Sequence, residues 1–191
     1  MKKLFLGVMA IMLSLSMAIA QTQIKATQSD DTGTTLVFKV GDYELTKVQT
    51  PKGTAYIPSI KKAAKILNAG FPAMLRISES SVIPDKGQAE ITIIDAKFET
   101  IKNIEIAPSK GNLYRDVQPS TVPFTYGEIY NQNTFYPETV AELGQNYILR
   151  DFRGQAVWVN PMQYNPVTKE LRVYTEITVK VSTNNKKGEN E

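Results

Sequence analysis

The chain has no cysteine and no histidine among its 191 residues, and it has one tryptophan. Without His or Cys it cannot assemble a Ser-His-Asp or Cys-His constellation, nor the nitrogen and sulfur sets that hold zinc. The same absence removes disulfides, a thiol nucleophile and a lipid-bearing cysteine at a cleavage site. Carboxylate-only chemistry remains open. The acidic residues are scattered singly, however, and the nearest pair, Asp30-Asp31 in "SDDTG", stands in a polar segment. Composition therefore points to a protein that is not an enzyme and needs no cofactor and no metal.

A long apolar run is also missing once the N-terminus is set aside. Lys2-Lys3, an apolar stretch from Leu4 to Leu15, and Ser16-Met17-Ala18-Ile19-Ala20 before Gln21 form the pattern of a secretory signal. The stretch is shorter than the ~20 residues that cross a bilayer. The expectation is an exported protein, periplasmic or extracellular, with no membrane span and a mature chain from Gln21. Removing Lys2 and Lys3 from the 22 basic side chains leaves 20 against 19 acidic ones. So balanced a charge, with no clustered basic face, argues against nucleic acid as a partner. The remaining length suits one domain with an ordinary core, expected to be a monomer.

What is present reads as strand after strand. Residues 21–33 are polar and rich in Thr, Gln and Asp, and are taken as a flexible lead-in. Thr34 to Val40 and Tyr43 to Gln49 are β-rich runs on either side of Gly41-Asp42, and Pro51-Lys52-Gly53 is a turn. In "KKAAKILNAGFPAMLR" a helix competes, but Gly70 and Pro72 limit it to one short helical turn. "QAEITIIDAKFETIKNIEI" predicts a long strand with a bulge at the doubled isoleucine. Strands are expected at Tyr147 to Asp151 and Gln155 to Asn160, around Arg153-Gly154, with Trp158 in the core. From Leu171 to Val181 apolar and polar residues alternate throughout, the plainest strand in the chain. Residues 184–191 read as a solvated tail. The sum is an all-β fold, an antiparallel β-sandwich spanning residues 34–183.

One loop stands apart. "EIAPSKGNLYRDVQP", Glu105 to Pro119, places Arg115 among turn-forming residues between two strand-like segments. On its own, such an arginine reads as a solvated surface residue, with at most a weak ion pair to Asp116.

"IAPSKG", followed by "VPFTYGEIYN" with "FYPE", and then "YILRDFRGQAVWVNPMQYNPVTKELRVYTEITVKVS", form a recognisable series. It is similar to the N-terminal pro-domain of the gingipain-type cysteine peptidases, the arginine-specific ones in particular. The resemblance runs from about Leu36 to Ser182 and is strongest after Ile104. It departs at Leu75, where the family pattern has a second proline. It implies a β-sandwich propeptide that keeps its partner, a gingipain-type catalytic domain, latent and assists its folding. It also implies that the loop after "IAPSKG" carries an arginine resembling a substrate side chain, and Arg115 matches that position. Tyr114 and Asp116 flank it, and Lys110 is a second cation able to enter such a pocket. The peptidase that would follow the pro-domain is not encoded before Glu191, so the protein reads as a helper in trans or as the relic of a disrupted gene. From another class comes a glycan-binding or adhesion sandwich that uses the aromatic segment Phe124 to Tyr136.

Overall fold

A computed structural model describes residues 21–30 and 33–188, so the signal segment lies outside the described residues. Eleven strands follow one another as β1 (Gln23–Asp30), β2 (Gly33–Lys39), β3 (Tyr43–Thr50), β4 (Gly53–Ile60), β5 (Ala64–Lys65), β6 (Leu75–Ile83), β7 (Ala89–Ile101), β8 (Ala141–Leu149), β9 (Phe152–Val159), β10 (Met162–Asn165) and β11 (Glu170–Thr183). The only helical pieces among the described residues are 3-10 turns at Pro119–Thr121 and Glu128–Asn131. Every strand pair is antiparallel. The expected all-β sandwich is what forms.

β11 organises the first sheet as a fourteen-residue strand whose buried row runs Leu171, Val173 and then Ile177, Val179, Val181, with a register shift at Tyr174–Glu176 between them. It pairs β7 along one edge and β2, then β10, along the other, with β1 outside β2. Val179 faces Leu36 and Ile177 faces Phe38 across the β11–β2 ladder, which turns one apolar row inward. The second sheet, in the order β5-β6-β9-β8, brings Ile77, Val157 and Val159 against that row. Burying these side chains contributes roughly 1.5–3 kcal/mol apiece.

A second core lies beside the first. Met74, Leu75, Ile106, Met162, Tyr164 and Leu171 are fully buried in it. The β3–β4 ribbon and the irregular segments after β7 fold over this second core. The loop that carries Arg115 grows out of its rim.

Several local expectations change in three dimensions. The lead-in forms β1, because edge pairing with β2 satisfies its backbone while its Gln, Thr and Asp side chains stay in water. Where a helical turn was expected, Lys62 turns at φ 72° and β5 pairs with β6. The hairpin before Trp158 turns at Arg150-Asp151, with Arg150 at φ 55°, rather than at Arg153-Gly154. Arg153 is buried instead, and donates to the carbonyls of Pro84 (2.8 Å) and Gly87 (3.1 Å). Trp158 lies half-buried on the outer face of β9, with the Arg76 guanidinium 4.3 Å from its ring centre. Part of the tail is docked: the Asn184 amide donates to the Gln88 carbonyl and Gly188 is buried against Gly87. The isoleucine bulge occurs as expected, since pairing passes from Asp95 to Ile93 and leaves Ile94 out of register.

Candidate functional site: the loop that carries Arg115

The foot of the loop is built from backbone pairing. After β7 the chain turns at Asn103, in the left-handed region at φ 57°, and Ile104, Ile106, Ala107 and Pro108 sink into the second core. The Tyr56 amide donates to the Glu105 carbonyl at 2.8 Å and the Ala107 amide to the Tyr56 carbonyl at 2.9 Å. On the other side, the Ala73 amide donates to the Ala107 carbonyl and the Ser109 amide to the Phe71 carbonyl. The segment is thus an extra strand-like rung between β4 and the Phe71–Ala73 stretch.

Two tyrosines fix this foot from below. The Tyr130 hydroxyl donates to the Ile106 carbonyl at 2.8 Å and the Tyr164 hydroxyl to the Ile104 carbonyl at 3.1 Å. Burial pushes the ionisation of both phenols well above the usual tyrosine range, so both stay protonated donors. The sequence reading had only an aromatic segment here. Its five rings, Phe124, Tyr126, Tyr130, Phe135 and Tyr136, are all half-buried or buried, so the segment packs loops onto the core. Phe135 is covered by the Arg172 guanidinium at 3.7 Å, and Tyr126 meets Tyr130 edge-on at 4.6 Å.

Beyond Pro108 the loop leaves the body. Gly111 sits at φ 80°, and a Cβ there would lie 2.9 Å from that of Ala69, so the chain passes where only glycine fits. Its amide donates to the Ser109 hydroxyl at 3.1 Å. The Val117 amide then donates to the Tyr114 carbonyl at 3.1 Å. That bond closes a β-turn with Arg115 and Asp116 at its two central positions. The Tyr114 side chain is 83% exposed, and those of Arg115 and Asp116 are exposed as well.

The four residues singled out from sequence therefore divide. Tyr114, Arg115 and Asp116 share the projecting turn. No hydrogen bond, ion pair or ring contact among the described residues engages the Arg115 guanidinium, and the weak pair with Asp116 does not form. Lys110 is half-buried at the loop's base, where its ammonium donates to the Pro119 carbonyl at 2.7 Å and lies 4.2 Å from the Phe124 ring centre. The loop thus offers one uncommitted cation, Arg115. Behind it opens a cavity of about 570 Å³, lined by Ile57, Pro58, Ile66, Leu75 and Leu113 among others.

Chemically, the turn presents a planar fork of five N–H donors to solvent, suited to paired bonds with one carboxylate. Among the described residues, no three acidic side chains gather as a metal site would require. No described helix is long and apolar enough to cross a membrane. Sequence reasoning had Gly111 and Pro119 framing the loop; what it missed is the base contact, in which the Lys110 ammonium joins the Pro119 carbonyl and the Phe124 ring.

Residues 18–191 match the family described as Propeptide_C25. Gingipain R1 of Porphyromonas gingivalis is 42% identical over 157 residues, which is 82% of this chain and 16% of that relative. Gingipain R2 of the same organism is 37% identical over 168 residues, 88% of this chain and 23% of the relative. The chain thus spans less than a quarter of the length of either. A solved complex of the RgpB pro- and mature domains of Porphyromonas gingivalis superimposes with a TM-score of 0.85 at 37% identity, covering 88% of each chain. A structure that concerns zymogenic latency of gingipain K superimposes with a TM-score of 0.70 at 22% identity and shares the fold.

Proposed function

Since this chain belongs to the propeptide family of the gingipains, not to their catalytic domain, we propose that it holds a gingipain-type cysteine peptidase latent by seating Arg115 in the specificity pocket. The partner in this reading is a catalytic domain that accepts arginine, in line with the higher identity to gingipains R1 and R2 than to the 25% identical Lys-gingipain. The protein is exported, as the N-terminal pattern suggests, and acts in the compartment of its peptidase.

One observation carries the reading: Arg115 stands at the apex of a turn whose foot is tied on both sides, with a guanidinium that nothing in the described chain engages. A side chain presented this way loses little conformational freedom on entering a pocket. An acidic residue at the pocket's end would form two parallel charge-assisted hydrogen bonds with it.

The test is a set of inhibition constants against a purified arginine-specific gingipain-type peptidase. Losing one partner of a desolvated, hydrogen-bonded charge pair costs about 2–5 kcal/mol, so Arg115→Ala should weaken inhibition by roughly 30-fold to a few thousand-fold. Arg115→Lys should fall between, because the ammonium keeps the charge and loses the fork. Unchanged inhibition by Arg115→Ala would remove the turn from the pocket.

A further inference from the structure

We propose that Lys110 is the positioning residue that makes the Arg115 turn an inhibitor rather than a good substrate, by closing the loop at its base. This rests on the proposed seating of Arg115 in a specificity pocket. An arginine in such a pocket places the Arg115–Asp116 peptide bond where an arginine-specific peptidase cuts. Hydrolysis there would consume one water and leave a carboxylate on Arg115 and an amine on Asp116. Something in the loop has to slow that step.

The geometry supplies it. Lys110 precedes the projecting segment and Pro119 follows it, and the 2.7 Å bond between the ammonium and the Pro119 carbonyl joins the two legs nine residues apart. The Phe124 ring lies 4.2 Å from the same ammonium, and adds a cation–π contact that fixes where the lysine points. Below the clamp, the Ser109 hydroxyl accepts from the Gly111 amide and the Ser109 carbonyl accepts from the Gly70 amide. Above it, the bond from the Val117 amide to the Tyr114 carbonyl spans the Arg115–Asp116 peptide. For that peptide to become extended and accessible to attack, the turn must open and its legs must spread. Joined legs oppose the spreading, and they also keep the two new ends beside each other if the bond is cut, which favours religation over departure.

Lys110 thus acts through the loop and not through the pocket. Its ammonium points to the base, away from the role of a second pocket-filling cation. Lys110→Met keeps the length of the side chain and removes the donor. Lys110→Arg keeps a donor and a cation that can stack on Phe124.

The experiment uses the whole mature chain in two arms. In the first, trypsin serves as an arginine-directed probe independent of any gingipain, and intact mass follows cleavage at Arg115–Asp116. Lys110→Met should be cut about 10- to 30-fold faster than wild type, the lower part of what a charged donor's hydrogen bond supplies, since the lysine is only half-buried. Lys110→Arg should restore resistance, and Phe124→Leu should add little in the Lys110→Met background. In the second arm, Lys110→Met should raise the inhibition constant for the peptidase by a similar factor and turn inhibition temporary, while the melting temperature falls by no more than a few degrees. Equal cleavage of wild type and Lys110→Met, or no rescue by Lys110→Arg, overturns the clamp even if Arg115→Ala abolishes inhibition. Full inhibition by Arg115→Ala overturns the pocket reading, and with it the conversion from substrate to inhibitor, even if the trypsin arm succeeds.

Discussion

Gly111→Ala isolates how much of the loop's shape is set by one missing Cβ. At φ 80° an alanine pays the left-handed backbone penalty, about 1–2 kcal/mol. The added Cβ would also lie 2.9 Å from the Ala69 Cβ, a carbon that cannot swing aside, so the Asn68–Gly70 turn or the loop must move. Overpacking of this kind costs a further ~1–3 kcal/mol. Gly53 gives the internal control, since its φ is 101° and nothing lies within 4 Å of the position its Cβ would take. Gly53→Ala should therefore lose only the backbone part, about 1–2 kcal/mol, and Gly111→Ala should lose about 2–5 kcal/mol in all. Urea unfolding of the mature chain measures both, and the difference between them is the contact. Ala69→Gly removes the opposing carbon, so adding Gly111→Ala in that background should cost no more than Gly53→Ala does. If the double variant shows the full loss, or if Gly111→Ala is as mild as Gly53→Ala, the close passage of the loop over Ala69 does not constrain it. Any weakening of inhibition by Gly111→Ala must then come from elsewhere.

Alkaline pH should unfold the protein through its buried phenols. The folded pKa values of Tyr130 and Tyr164 are raised above the ordinary 10.0, so below pH 10 both states are protonated and stability is unaffected. Above it the unfolded chain releases protons that the folded one retains, and denaturant midpoints should fall as pH rises, with no step near neutrality because histidine is absent. A neutral-pH transition would contradict this. Intact mass of exported material should correspond to a chain starting at Gln21, since Ala18 and Ala20 supply the small residues at the cleavage site; retention of residues 1–20 would reopen the localisation. Ile177→Ala, in the fully buried row of β11, should cost about 2–5 kcal/mol in urea unfolding. Ile94→Ala, at the exposed bulge, should cost under ~0.5 kcal/mol.

The sequence by itself determined the class of fold and the absence of residues for a catalytic triad. Alternation from Leu171 to Val181 dictates a strand with one apolar face, because side chains on an extended backbone alternate whatever the strand pairs with. That strand became the organiser of the first sheet. The doubled isoleucine announced its bulge because two adjacent apolar residues interrupt the alternation of an extended strand, although both remain exposed. The motif series around "IAPSKG" marked Arg115, and the turn residues around it were enough to expect exposure.

Tertiary structure decided what depends on partners distant in sequence. β1 alternates apolar residues only at Ile24 and Ala26, with Ile24 packed against the first core, and pairing with the open edge of β2 makes the rest of its polar sequence a strand. The Arg150-Asp151 turn prevailed over Arg153-Gly154 because Pro84 and Gly87, about 66 to 69 residues earlier, offer carbonyls that hold Arg153 inside. Tyr130 and Tyr164 reach the carbonyls of Ile106 and Ile104 across 24 and 60 residues, a relation no local pattern records. The motif series favoured Arg115 over Lys110 and left the lysine's role open. That role was decided when the chain returned Pro119 and Phe124 to the base, where the lysine bonds a carbonyl and lies against a ring while the arginine is left facing water.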